Sequence, residues 1–550
     1  MRFFTLQRPF FQRIKMSNIS DNYGAAEIHP VSEPTPGNER LVVVAASLGT
    51  VFEWFDFYLY GSLAVFFSAL FFPPGNDSAA FLASLATFGA GFAVRPLGAL
   101  LFGRLGDRLG RKYTFLVTMI LMGVSTTVVG LLPGYAQIGL WAPALLVGMR
   151  LLQGLAVGGE YGGAATYVAE HAKPERRGYA TSWIQTTATF GFLLSLLVIL
   201  GTRLAVGEEA FKAWGWRIPF LISLLLLGVS VYIRMQLEES PVFLKMKQQG
   251  NISASPIRES FAQWKNLKQV LIVLFGITSG MTVIFYSAQF YALFFLQNTL
   301  RMDFQSSSLI FSVGLAIGTP LIVFFGWLSD RVGRKRIMLI GMILGAITIV
   351  PVFKGIAHYS NPQLEAFAQQ YPVAINADGC TFSLFSKPES DCDKARQFFS
   401  KAGLSYASNP ASGNDMSVSI GEQNLQGFDA AAYQQALNKA GYRDHADPKD
   451  INYVMVIALI VLMMGYVGMV YGPMAAFMVE MFPAHIRYTS LSLPYNIGIG
   501  ILGGFLPFIA AALVVYSGNI FAGLYYPVVV GLISAVIGII WVPETYKRQI

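Results

Sequence analysis

The sequence predicts an all-α membrane protein of twelve transmembrane helices in two pseudo-symmetric six-helix halves, with a small extracytoplasmic insertion domain in the second half. Three observations predict this. Of 550 residues, 54% are hydrophobic and 13% charged, with a mean hydropathy of +0.51, whereas a soluble domain carries about 25% charged residues. The apolar residues gather into runs near 20 to 28 residues long, and at 1.5 Å per residue such a run crosses about 30 Å of hydrocarbon. Two motifs each occur twice, once per half.

In chain order, a cytoplasmic segment 1–40 precedes the first half, 41–236, with helices near 41–68, 80–103, 113–133, 142–168, 181–204 and 216–236. A central cytoplasmic loop, 237–268, leads to the second half, with helices near 269–298, 305–328 and 336–353, then an insertion at 354–451, then helices near 452–478, 488–515 and 521–542 and a C-terminal tail 543–550. The first 40 residues lack the apolar core, roughly 7 to 15 residues long, of a secretory signal, and Met16 is a second candidate start.

Lys and Arg in short loops stay on the cytoplasmic side. They cluster at Arg104, Arg108, Arg111 and Lys112, at Lys173, Arg176 and Arg177, at Lys245 to Lys268, and at Arg331, Arg334, Lys335 and Arg336. The connections 69–79, 134–141 and 516–520 carry none. Both termini are therefore expected in the cytoplasm. The net charge of +8 sits at membrane boundaries and not along one soluble face, which excludes a nucleic-acid partner. No G-x-x-x-x-G-K-[ST] loop is present, against an ATP-driven pump. Five His and two Cys show no metal-ligand spacing, so neither metal nor other cofactor is expected.

GRLGDRLGRKYTF at 103–115 recurs as GWLSDRVGRKRIM at 326–338, an offset of 223, and YGGAATYVAE at 161–170 recurs as YGPMAAFMVE at 471–480, an offset of 310 that also pairs Arg177 with Arg487. The difference, 310 − 223 = 87 residues, measures the insertion. Residues 354–450 hold 8 basic and 11 acidic residues, a net of −3, leaving +11 for the remainder. Short helices are expected near 393–402 and 428–440, ended by Gly403 and Gly441 after Lys401 and Lys439. Cys380 and Cys392 both fall in this segment. They are either a disulfide in an oxidising compartment or two reduced, buried thiols.

The doubled D-R-x-G-R-K loop, RLLQGLAVGGEYGG at 150–163, PERRG, WRIPF at 216–220, EESPVF at 238–243 and PET at 543–545 resemble the major facilitator superfamily. Within it, EWFDFYLYG at 53–61 and VRPLG at 94–98 resemble the metabolite:proton symporters, which include carriers of shikimate, 2-oxoglutarate, citrate, proline and betaine. The resemblance spans nearly all of 41–545 except the insertion. It implies a twelve-helix carrier, not an enzyme, working by alternating access around a midplane site between the halves.

An intramembrane charge costs about 2.5 to 3.5 kcal/mol on insertion scales and is a functional candidate by default. Glu53, Asp56 and Tyr60 recur at i, i+3 and i+7 on one helical face; Glu53 and Asp56, with Glu160, are candidates for proton coupling or for an ion pair that fixes helix packing, and Tyr60 is a candidate for substrate binding beside Gln153 and Tyr161. Arg150, Gln153, Val157 and Tyr161 form one stripe of helix 4, beside small residues that admit a neighbouring backbone. Arg150 either holds a substrate anion or is a buried counter-ion. Positions 150, 153 and 160 map to Ile460, Met463 and Val470 in the second half, so charge belongs to the first half. Arg95, Tyr286, Gln289 and Asn496 complete the substrate candidates, with Tyr291 and Gln297 nearby, each equally open to a packing role. Trp54, Phe55, Phe57 and Tyr58 either join a cation–π site for a quaternary amine or face lipid.

Gating by resemblance, or topology anchoring by charge, falls to Gly103, Asp107, Arg108, Gly110, Arg111 and Lys112 with Asp330, Arg331, Arg334 and Lys335, and Glu170 and Glu480 are placed to accept those arginines. The expected function is proton-coupled symport of a small organic acid or zwitterion by a monomer in the bacterial inner membrane. A proton-linked exporter or facilitator, and a ligand sensor, are the alternatives.

Overall fold

A computed structural model describes residues 36–74, 77–109, 111–159, 161–235, 248–249, 255–378, 380, 390–410 and 416–548; side chains are described from Ser47 onward, excluding 77–78, 103–104, 106–109, 111–115 and 234. Among the described residues nine helices are long and apolar enough to cross a bilayer. Two bent pairs, Ser47–Ser62 with Ala64–Phe71 and Glu208–Gly215 with Arg217–Ile233, raise that number to as many as eleven, and Leu116–Leu131 is a shorter apolar helix. Each pair bends by 60°. The first bend follows the Gly61-Ser62 pair, and the second lies beside Pro219, whose ring has no N–H for the ladder.

Bare backbone lets the helix of Arg150, Trp141–Gly158, lie against Ala79–Phe102. A methyl group at Gly154 would sit 1.6 Å from the Gly91 carbonyl oxygen, and one at Gly158 would sit 2.1 Å from that of Arg95. This is the role expected of the small residues of helix 4. The halves meet where Pro174–Val206 packs along Phe304–Val332 and Arg95–Leu109 along Arg487–Ile497. The span Trp264–Thr299 contains three π-helical turns, at Leu274–Thr278, Ser287–Tyr291 and Phe295–Thr299, and a fourth lies at Gly498–Gly503. Such turns often mark functional sites, and Tyr286, Gln289 and Asn496 lie within or beside them.

The helix expected at 336–353 extends over Arg334–Ser360, because nothing before Pro362 stops it, and Asn361 caps the next helix by accepting from Leu364 N. The insertion then folds as Pro362–Gln370, β1 (Val373–Asn376), Asp391–Lys401, β2 (Tyr406–Asn409), β3 (Ser417–Ile420), β4 (Gln423–Gln426) and Ala430–Lys439. Its two expected helices are present, and Gly403 (φ +71°) and Gly441 (φ +90°) follow them in the left-handed region. The sheet was not foreseen. Its strand order is β2-β1-β3-β4, parallel between β1 and β2 and antiparallel elsewhere. Val373, Ile375, Val418 and Ile420 are buried, and the insertion is thus mixed α and β within a protein whose membrane part is helical. Lys394, 2.9 Å from Asp391, holds that carboxyl below its ordinary range.

The insertion is seated by hydrogen bonds to the second half. Tyr406 N donates to Gly518 O (2.9 Å), Tyr406 Oη to Val515 O (2.7 Å), Ile520 N to Ser405 Oγ (3.3 Å) and Arg301 Nε to Asp444 O (3.0 Å). Cys380 and Cys392 form a disulfide with Cα atoms 5.5 Å apart, tying the segment after β1 to Asp391–Lys401. Closing so short a loop contributes about 3 kcal/mol in the chain-entropy model. Cys380→Ser is therefore expected to speed amide exchange across 391–401 while leaving the spans unchanged, and equal exchange in both proteins would contradict it.

Candidate functional site

Arg150 is fully buried. Its Nη1 donates to Gln153 Oε1 at 2.6 Å and to the Phe57 carbonyl at 3.3 Å, and its guanidinium carbon lies 4.2 Å from the Phe57 ring centroid and 4.7 Å from that of Tyr60. Nε and Nη2 have no hydrogen-bond partner among the described residues. Gln153 Nε2 passes on to Thr126 Oγ1 at 2.8 Å. Tyr60 Oη donates to the Ser84 carbonyl at 3.0 Å.

Arg95 is also fully buried, and none of its three side-chain nitrogens has a hydrogen-bond partner among the described residues. Its guanidinium carbon is 5.3 Å from the ring centroids of both Trp54 and Phe92. Trp54 stacks on Tyr58 at 5.1 Å, and Phe92 meets Tyr286 edge-on at 5.4 Å. The hydroxyls of Tyr58 and Tyr286 likewise lack partners. An arginine offers five N–H donors and no acceptor, so this cluster presents unmet donors at the seam between the halves. All four aromatics of 54–58 are buried, which overturns the lipid-facing alternative. Two of their rings instead carry a guanidinium, Arg95 over Trp54 and Arg150 over Phe57.

Below Arg95 the repeat closes into a ring. Tyr161 Oη donates to Gln185 Oε1 at 3.1 Å, and at positions 310 residues on, Tyr471 and Tyr495 share a hydroxyl contact of 3.1 Å. The two pairs cross: Tyr161 stacks on Tyr495 with centroids 3.5 Å apart, and Gln185 Nε2 donates to Tyr471 O at 3.1 Å. Gln289 reaches Thr189 Oγ1 (3.0 Å) and Asn496 reaches Gly158 O (3.1 Å), so these two candidates from the second half bind groups of the first.

At the end of the bundle opposite the insertion lies a charge network. Glu480 Oε1 is 3.0 Å from Arg177 Nη1 and 3.0 Å from Arg334 Nη2, and Arg334 Nη1 is 2.6 Å from Asp330. Asp330 accepts from the N–H groups of Gly178 and Tyr179, both at 2.8 Å, at the start of Arg177–Val206, where a helix end favours a carboxylate. Glu170 pairs with Arg487 at 3.0 Å. The repeat thus appears as a swap, each half's glutamate holding the other half's arginine.

The expected positions are distributed unevenly. Asp330, Arg334, Glu170 and Glu480 join this network, while Arg331 lies over the Trp327 ring (4.0 Å) and Lys335 reaches the Ile539 carbonyl (2.9 Å). Glu160 and Gly110 lie outside the described residues, as do the side chains of Arg104, Asp107, Arg108, Arg111 and Lys112, while Gly103 falls within the helix Arg95–Leu109. Glu53 and Asp56 are buried, and Asp56 faces the hydroxyls of Ser223 and Thr126 within its own half. Sequence reasoning missed Thr126, Gln185, Tyr495 and Arg203, whose guanidinium lies 4.0 Å from the Phe304 ring across the seam at the insertion end. The offset of 310 alone would have paired Gln185 with Tyr495.

The family model described as Sugar (and other) transporter matches residues 41–267. The chain is 30% identical to the glycine betaine/proline/ectoine/pipecolic acid transporter OusA of Dickeya dadantii, over 94% of this chain and 85% of that protein. It is 33% identical to the inner membrane metabolite transport protein YhjE of Escherichia coli, over 91% of this chain and 94% of that one. Against the alpha-ketoglutarate permease of E. coli the identity is 38%, over 58% of this chain and 72% of the permease. The solved structure of the proton:xylose symporter XylE, at 16% identity, matches its fold with a TM-score of 0.60 over 93% of this chain and 97% of that one. The chain belongs to the major facilitator superfamily of metabolite transporters. It is a multi-pass secondary transporter of small molecules and not an enzyme.

Proposed function

We propose that this chain is a proton-coupled symporter that carries a small organic acid or a zwitterionic metabolite across the bacterial inner membrane, as a monomer with both termini in the cytoplasm. Counting each bent pair and Leu116–Leu131 as one span gives twelve. An even number returns the chain to the side on which it began. The insertion then faces outward, in agreement with its disulfide, and the network around Glu480 is the cytoplasmic lock of alternating access.

The observation that carries the reading is the pair of buried guanidiniums with unmet donors. Among the described residues Arg95 has no hydrogen-bond partner and Arg150 has two nitrogens without one. A substrate carboxylate supplies what an arginine fork lacks, and in a site shielded from water such bonds are short and directional. The names of the relatives, carriers of betaine, proline and alpha-ketoglutarate, fit the same chemistry. Asp56, buried beside hydroxyls and not beside a cation, is the proposed proton site.

Thermal stabilisation of the purified protein by 2-oxoglutarate, proline and glycine betaine tests this. At least one of the three is expected to stabilise the wild type. Arg95→Ala is expected to weaken that ligand about 30-fold or more, because it removes the partner of a buried charge, and Arg95→Lys less. Equal stabilisation of wild type and Arg95→Ala would remove Arg95 from the site.

A further inference from the structure

Gln153 has only one orientation that its neighbours allow. Arg150 donates and cannot accept, so the amide oxygen of Gln153 must face it, at 2.6 Å. The amide nitrogen must then face Thr126, at 2.8 Å. A nitrogen of this kind donates, so Thr126 Oγ1 accepts, and its single proton has to go elsewhere. In the structure it goes to the Met122 carbonyl at 3.0 Å. The other group that faces this hydroxyl is the Asp56 carboxyl, whose Oδ1 has no hydrogen-bond partner.

We propose that Thr126 is the positioning residue that couples Asp56 to Arg150: its hydroxyl turns from the Met122 carbonyl to the Asp56 carboxylate when that group loses its proton, and the turn is passed through Gln153 to the arginine. This rests on Asp56 being the proton site, as read above. An ionised acceptor draws a hydroxyl more strongly than a carbonyl does. Turning Thr126 moves the lone pair that Gln153 Nε2 uses, and Gln153 is the side chain that holds Arg150 Nη1. Binding of an anion at Arg150 and of a proton at Asp56 therefore alter one another by the same factor.

No other charged group among the described residues supplies the link. The segments packed against Asp56, 116–131 and 218–231, contain no ionisable residue, nor does 180–202. Glu53 lies on the same helix, and Arg150 approaches through the Phe57 carbonyl at 3.3 Å. Arg95 stands over Trp54 at 5.3 Å. The relay is built once: its equivalents in the second half are Ile349, Ile460 and Met463, at offsets of 223, 310 and 310, and none of them carries a hydrogen-bonding side chain of this kind.

Infrared titration of the purified protein needs no substrate. The carboxyl band lost in Asp56→Asn assigns the Asp56 titration; absence of any such band would refute Asp56 as the proton site, whatever the relay does. With the band assigned, Gln153→Leu is expected to move its midpoint by about one pH unit, the size of an ordinary coupling between contacting residues. In the Thr126→Val background, which keeps the shape but has no hydroxyl, Gln153→Leu is expected to move it no further. Thr126→Ser keeps the response and controls for packing. An unmoved midpoint in Gln153→Leu alone, or an equal movement with and without the Thr126 hydroxyl, overturns the relay.

Discussion

Asp56→Asn in proteoliposomes is expected to abolish accumulation of substrate driven by an imposed pH gradient, while exchange of labelled for unlabelled substrate continues. With one proton coupled to each cycle, each pH unit supports about a tenfold accumulation. Under a gradient of two units the variant should thus fall about 100-fold below the wild type, to the level seen without a gradient. The reason is geometric. Asp56 is 6% exposed, and the groups facing it are the neutral hydroxyls of Ser223 and Thr126. Among the described residues no cation pairs with a carboxylate in that position, so under the proposed function proton uptake and release would be its means of adjusting to the opening of either side. Asparagine has nearly the same shape and cannot titrate. Normal gradient-driven accumulation by the variant would exclude Asp56 from coupling.

Glu480→Gln is expected to have the larger effect on the fold. The side chain of Glu480 is fully buried between Arg177 of the first half and Arg334 of the second, and it also accepts from Thr545 Oγ1 at 2.7 Å. Neutralising it leaves two buried guanidiniums around one amide, and removing one partner of a buried ion pair costs about 3 to 5 kcal/mol. The Arg177 contact joins the two halves, so its loss falls on the closed arrangement of this end, while the loss of the Arg334 contact falls within the second half. Cysteines placed at 179 or 329 should therefore be alkylated faster from the cytoplasmic side in the variant, and the melting temperature in detergent should drop. Unchanged labelling with a lowered melting temperature would leave Glu480 a packing group and no lock.

The arrangement of the bundle was legible because hydropathy and repeats are properties of the chain itself. Runs of apolar residues placed the spans, and the offset of 310 placed Glu170 opposite Glu480 and Arg177 opposite Arg487. The swap between them was not legible, because which half supplies each partner depends on how the halves dock. The sheet of the insertion was hidden for a different reason. Its strands are four residues long, and β4, QNLQ, holds a single apolar residue, Leu425, so alternation gives little signal over such a length. Thr126 was invisible as a site residue because a hydroxyl in an apolar helix ordinarily satisfies itself on the preceding turn, as Thr127 does with Gly123 O at 2.8 Å. The aromatic stretch at 54–58 suggested lipid because helical spacing alone cannot say which side of a bundle a residue faces.

The seating of the insertion has a practical consequence. A 60.2 kDa transporter in a detergent belt offers single-particle microscopy almost no feature by which to align images. Here a folded α/β knob is bolted through Tyr406, Ser405 and Asp444 to the helix ends near Arg301 and Gly518. An antibody fragment raised against Ala430–Lys439 would ride on that knob as a rigid pointer, and the angle it makes with the membrane plane would register each tilt of the second half directly.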